Sequence, residues 1–238
     1  MTWKVVPLCN KQLRDINPQD TLHNGHFRKC NTYKSGGGYD KFPQIAEKRL
    51  GNNVSNQFIV QLYGCSLHCP YCYVTKDGYL GDYVLYSSEE LVDICISEGL
   101  EIFHLMGGSP ALYIENWHKI IELLPKYEVF HSDLLLIEKE YNTDCLISIK
   151  SNNSLYAVNI KGVTPEDFYL NTNRKFNDKL FWSNLDKVVN SGINFYLTFT
   201  NPNKNYLDEF INGLVKKYGD VILEDSFVIE LIDYEALK

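Results

Sequence analysis

From Gln57 onward, short apolar runs alternate with longer stretches whose apolar residues recur every three or four positions. The first pattern is that of a strand and the second that of an amphipathic helix, so the alternation predicts repeated βα units around a parallel sheet. The strand-like runs are Phe58–Leu62, Ile102–Met106, Val129–Ser132, Leu155–Ile160, Asn194–Phe199 and Phe227–Leu231. Between them, Ser88-Glu89-Glu90 caps a helix running to Gly99, and helical spacing covers Ile114–Leu124, Trp182–Ser191 and Tyr206–Tyr218. Six units predict an α/β fold, a partial (β/α)6 TIM-like barrel over residues 57–238 rather than the closed eight-unit form. Residues 1–56 are polar and punctuated by Asn17-Pro18, Asn24-Gly25, Ser35-Gly36-Gly37-Gly38 and Gly51-Asn52-Asn53, which predicts a loop-rich N-terminal extension.

Composition narrows this picture. A chain of 238 residues, 45% hydrophobic and 22% charged, has room for one well-buried domain with an extension and is short for two. A net charge of -7 argues against a broad nucleic-acid footprint. The start, Met1-Thr2-Trp3-Lys4-Val5-Val6-Pro7, lacks the apolar core of a signal peptide, and no later run is long enough to cross a bilayer, so a cytoplasmic protein is expected.

Chemistry enters directly after the first apolar run. Cys65, Cys69 and Cys72 stand at C-x3-C-x2-C spacing on a compact loop. Three thiolates can cap three corners of a cubane iron–sulfur cluster and leave the fourth iron open to a small molecule, which points to chemistry at the cluster rather than electron carriage. Zinc is the competing reading. It needs a fourth ligand, which His68 would have to supply from between two of the cysteines, and no second C-x2-C or H-x3-H pair follows. A disulfide framework fits poorly with a chain this long and an odd cysteine count of 7.

These residues resemble the radical S-adenosylmethionine (SAM) enzymes, whose signature is C-x3-C-x2-C with an aromatic residue before the last cysteine, here Tyr71. The resemblance implies a [4Fe-4S] cluster on the three cysteines, SAM as second cofactor, and its reductive cleavage to a 5′-deoxyadenosyl radical that removes a substrate hydrogen. It also directs attention to the strand ends. Gly107-Gly108-Ser109-Pro110 resembles the family's Gly-Gly-Glu-Pro segment, which receives the methionyl ammonium, with Ser109 in place of the acid. His131-Ser132-Asp133 either lines the cavity, with Ser132 against the cofactor, or forms a satisfied hydrogen-bond set in the core. Asn159-Ile160-Lys161 is similar to the Asp-x-Lys segment of the glycyl-radical activating branch, where the lysine holds the cofactor's carboxylate. Asn159 and Lys161 share a face by strand alternation. The last strand, Glu230-Leu231-Ile232-Asp233-Tyr234-Glu235, resembles the end of pyruvate formate-lyase activating enzymes, with Glu235 where they have histidine.

The pattern is closest to that activating branch, which implies a glycyl-radical protein as partner and a flavodoxin or ferredoxin as electron donor. The alternative is radical modification of a small molecule or peptide, with residues 1–56 closing over the site. A third reading, from another class, is a non-catalytic cluster or zinc protein. No particular side chain is singled out as catalytic.

Overall fold

The computed structural model describes residues 2–31, 41–51, 54–72, 74 and 76–230. In chain order its elements are β1 (Thr2–Val5), α1 (Asn10–Asp15), β2 (Thr21–Leu22), β3 (Phe27–Asn31), α2 (Lys41–Leu50), β4 (Asn56–Gln61), α3 (Asp77–Leu80), β5 (Val84–Ser87), α4 (Ser88–Ser97) and β6 (Ile102–Met106). There follow α5 (Trp117–Leu123), β7 (Val129–Leu134), α6 (Thr143–Ser148), β8 (Ser154–Ile160), α7 (Pro165–Thr172), α8 (Asp178–Ser191), β9 (Phe195–Thr200), α9 (Lys204–Tyr218) and β10 (Phe227–Ile229).

The six apolar runs all become strands of one sheet, in the order β10-β9-β8-β7-β6-β4-β3-β2. Pairing is parallel from β4 through β10, giving the α/β partial barrel expected from the alternation. The sheet then continues past β4 with two antiparallel strands, β3 and β2, drawn from the N-terminal residues. Those residues therefore carry more regular structure than their Gly, Pro and Asn content predicts. The Ser35–Gly38 segment and Glu235 lie outside the described residues.

Register assigns each side chain to a face. Phe58, Phe103, Leu105, Phe130, Tyr156, Val158 and Leu197 point to the helix-covered side and pack against Leu91, Trp117, Ile120, Leu146, Leu185 and Val188. On the opposite, inner face, Ile102, Val129, Leu155, Ala157, Tyr196 and Phe227 receive Phe42, Ile45 and Ala46 of α2. Ile102 and Val129 open their strands, so α2 closes the amino end of the barrel and leaves the carboxyl end for chemistry. A separate ribbon pairs β1 with β5 and is joined to the sheet by the Val5–Leu62 bridge. No helix among the described residues is long and apolar enough to cross a membrane.

Candidate active site

The cysteine loop begins where β4 ends, and the backbone around it explains the neighbouring glycines. The Gly64 carbonyl accepts from the Ser109 N–H at 2.7 Å, drawing the Gly107-Gly108 turn against the loop. A Cβ on Gly108 would stand 2.3 Å from the Leu62 carbonyl oxygen and 2.6 Å from that of Gly64, and its φ of +59° is left-handed. Only glycine permits this approach. Gly107, at φ +80°, is similarly pressed against the Gln61 side chain.

Two further segments grip the loop. Glu138, after β7, accepts from Ser66 Oγ at 2.7 Å and from the Ser66 N–H at 3.4 Å. At the end of α7, the Thr172 carbonyl accepts from the His68 N–H at 2.9 Å, while Asn173 Nδ2 donates to the His68 carbonyl at 3.0 Å. Beneath, Gln12 of α1 donates to Gln61 Oε1 at 2.9 Å, and Gln61 donates to the Gly78 carbonyl, so the N-terminal segment braces the end of β4.

The three thiols lie within one another's electrostatic field. Burial pushes Cys65 up to about 12, the Leu67 N–H countering and the Glu138 charge adding to the rise. Burial also raises Cys69, against the Lys161 ammonium, and raises Cys72, reinforced by Cys69. Tyr71 is buried with its hydroxyl beside the Cys69 thiol, and Lys161 Nζ lies 5.6 Å from the Tyr71 ring centre. Soft thiols that resist ionisation while carrying protons fit iron, whose charge replaces the proton and stabilises the thiolate. Among the described residues no three His, Cys, Asp or Glu side chains are arranged to share a single metal ion. A cubane asks something different, since each thiolate binds its own iron.

The remaining strand-end residues divide between the two faces. Asn159 is on the inner face, as alternation requires, and Lys161 follows one residue past the end of β8. Thr198 donates to Asn159 Oδ1, and Asn159 in turn hydrogen-bonds Asp133. The Asp133 carboxyl is held above the ordinary range by burial, which Lys161 and Asn159 partly offset. Ser132 departs from this group: it is paired with Leu105 and Tyr156 on the helix-covered face, and its hydroxyl donates to the Leu105 carbonyl at 3.2 Å. An odd-numbered step along β7 separates it from His131 and Asp133, which face inward. His131 belongs to the core, with Nε2 3.0 Å from Tyr196 Oη and its ring centre 4.3 Å from that of His104. Burial keeps both imidazoles neutral, taking His104 down to about 3. Ser109 is fully buried and its Oγ has no hydrogen-bond partner among the described residues, an unspent acceptor beside bare glycine backbone, and Pro110 opens the helical turn that follows. This set suits an ammonium group, which needs acceptors without intervening side chains.

Glu138, Thr172, Asn173 and Gln12 carry no motif in the sequence. Their roles come from contacts between distant parts of the chain, and only Asn173 had a local signal, as a left-handed residue closing a helix.

A parallel partial barrel that presents three cysteines at the carboxyl end of its first parallel strand, beside a glycine turn, defines a class of iron–sulfur enzymes. The chain belongs to the radical SAM superfamily, whose family model matches residues 59–212, from β4 into α9. In that superfamily the cofactors are a [4Fe-4S] cluster and S-adenosylmethionine. No curated protein matches the chain. Among solved structures, anSMEcpe with bound AdoMet is 17% identical with a TM-score of 0.52, over 71% of this chain and 49% of that one. Streptococcus suis SuiB bound to precursor peptide SuiA is 12% identical with a TM-score of 0.57, over 84% and 45%. A spore photoproduct lyase variant with AdoMet and a dinucleoside spore photoproduct is 14% identical with a TM-score of 0.53, over 75% and 57%. These likenesses establish the fold, and the chain spans about half the length of the first structures it matches.

Proposed function

We propose that this radical SAM enzyme modifies a peptide or a small molecule, with Cys65, Cys69 and Cys72 holding the cluster. The observation that carries the reading is the thiol loop locked against Gly107-Gly108 at the open end of the barrel. When bound, the cluster and S-adenosylmethionine supply a 5′-deoxyadenosyl radical that takes a hydrogen atom from substrate. Gly107, Gly108, Ser109 and Pro110 would receive the amino end of the cofactor, and Lys161 its carboxylate, with Asn159 and Tyr71 alongside. In this reading residues 1–56 are an extension to the barrel of residues 57–238 that supports it from outside the site, β2 and β3 lengthening its sheet, α2 closing its amino end and Gln12 bracing the end of β4. A flavodoxin or ferredoxin would deliver the electron.

Two of the similar structures hold peptides, anSMEcpe the Kp18Cys peptide and SuiB the precursor peptide SuiA. Activation of a glycyl-radical protein is the second reading, favoured by the Asn159-x-Lys161 segment. It is weakened by Ser109 and Asn159, where the activating branch keeps acids.

Anaerobic reconstitution followed by dithionite and S-adenosylmethionine tests the chemistry: 5′-deoxyadenosine should form, and its absence from a protein holding an intact cluster would overturn the proposal. Perdeuterated peptide pools should then transfer deuterium into 5′-deoxyadenosine. A glycyl-radical doublet raised in a co-expressed partner would instead select the second reading.

A further inference from the structure

Glu138 stands out among the carboxylates because its side chain is only 2% exposed while its counter-charge is loose: Arg174 Nη1 lies 3.5 Å away, on a side chain 35% exposed. The carboxylate faces Ser66, the residue after Cys65, and takes both the Ser66 hydroxyl and N–H. Cys65 and Cys69 both feel its negative charge. Neither the proposed cofactor contacts nor packing of the barrel requires a charged group here. A neutral amide of the same shape would still accept from the Ser66 N–H, and the Ser66 hydroxyl could turn to accept from its NH2 group, without the cost of burying a charge.

We propose that Glu138, with Arg174 as partial counter-charge, is a positioning residue that fixes the cysteine loop through Ser66 and holds the bound cluster at a low reduction potential. This rests on the reading that Cys65, Cys69 and Cys72 carry the cluster. Reduction adds one electron, from a low-potential one-electron donor, to a cluster already surrounded by three thiolates. A fixed negative charge with little water around it opposes that electron, and a fixed positive charge favours it. Glu138 lowers the potential and so strengthens the reduced cluster as a reductant toward a sulfonium, and Arg174 limits the effect.

The test is a potentiometric titration of the reconstituted protein, followed by the EPR signal of the reduced cluster, with iron per chain measured on the same samples. Glu138→Gln should keep its iron and shift to a more positive potential, Glu138→Asp should return toward the parent value, and Arg174→Met should shift to a more negative one. Ser66→Ala should lose iron to a chelator several-fold faster with a smaller change in potential. Should Glu138→Gln fail to hold a cluster, the opposite shift in Arg174→Met still carries the proposal. Coincident potentials for the parent and both charge variants would overturn it. A parent protein that assembles no cluster would instead overturn the cysteine assignment beneath it.

Discussion

At the scale of single residues, Gly108 is the position where geometry leaves least freedom. Any side chain there meets two backbone carbonyls at once, neither of which can rotate away, and adds left-handed strain. Gly108→Ala should cost about 2–3 kcal/mol and lower iron retained after reconstitution. Denaturant unfolding together with an iron assay checks this, and a variant with parent-like stability and iron content would contradict the close approach. Glu128 offers a pH test. It is buried, with the Cys95 thiol 3.8 Å from Oε2, and burial raises its carboxyl to about 7 from an ordinary 4.5. Between those two values the folded protein binds more protons than the unfolded chain, so this group makes stability fall as pH rises from 4.5 toward 7. The two inward histidines, held below their ordinary 6.5, act oppositely and cost stability as pH falls through that value. Comparing Glu128→Gln with the parent isolates the first effect: the variant should gain on the order of 1 kcal/mol at pH 8 relative to pH 5. Parallel stability profiles for the two proteins would rule it out.

At the scale of elements, what the sequence reveals depends on burial. β4, β6, β7, β8 and β9 are covered on both faces, so each carries a short apolar run that is plain in the sequence even where polar residues flank or interrupt it. β3 reads Phe-Arg-Lys-Cys-Asn, because it lies beyond the parallel strands and is held by pairing with β4 rather than by a double apolar cover. α2 is masked by Pro43, which sits in its first turn, where a missing N–H costs nothing. Alternation puts Asn159 on the inner face, and Lys161, one residue past the strand, acts on the same Asp133 carboxyl. The same rule, applied to His131-Ser132-Asp133, separates Ser132 from its neighbours. The motif residues of the site are visible because their spacing is local. Glu138 and Thr172 are not, because they reach the loop from 72 and 104 positions away in sequence, as the Ser66–Glu138 and His68–Thr172 hydrogen bonds show. Helix α4 starts one residue earlier than its Ser-Glu-Glu signal predicts: Ser87 Oγ accepts from the Glu90 N–H, and Glu90 answers the Ser87 N–H at 2.6 Å. Ser87→Ala should therefore cost about 1 kcal/mol in urea unfolding. Ser88 serves another purpose, its hydroxyl accepting from the Trp3 indole at 2.9 Å, so Ser88→Ala should loosen the β1–β5 ribbon rather than the helix. Hydrogen exchange resolves the two: faster exchange in the first turn of α4 for the first variant, and in β1 for the second.

At the scale of the whole molecule, a partial barrel must close its amino end without the strands that a complete one would have, and this chain does so with a helix that precedes the barrel. α2 fills the space under Val129 and Leu155 with Phe42, whose ring centre lies 4.1 Å from that of His131. Apolar burial alone does not orient a ten-residue helix. Arg49 does: Nε bonds Asp225 at 2.6 Å, Nη2 donates to the Glu224 carbonyl at 2.6 Å, and Nη1 donates to the Phe195 carbonyl. One guanidinium thus ties α2 to the start of β9 and to the turn before β10. Both partners of the ion pair are largely buried, with side chains 17% and 14% exposed. Lys48, beside it, pairs with Glu224 and Asp225 from a side chain 55% exposed, where water and salt screen the attraction. The two cations should therefore differ sharply. Arg49→Ala should cost about 2 kcal/mol, since it leaves Asp225 with only the exposed Lys48 and strands two carbonyls, and Arg49→Lys should recover less than half because an ammonium cannot serve three separated acceptors. Lys48→Ala should stay within about 0.5 kcal/mol. Urea unfolding at low and high salt measures this: the Arg49→Ala loss should persist in high salt and any Lys48→Ala loss should vanish. Equal losses from the two substitutions would mean that α2 is held by general charge attraction, and that its placement under the barrel is set by the Phe42, Ile45 and Ala46 contacts alone.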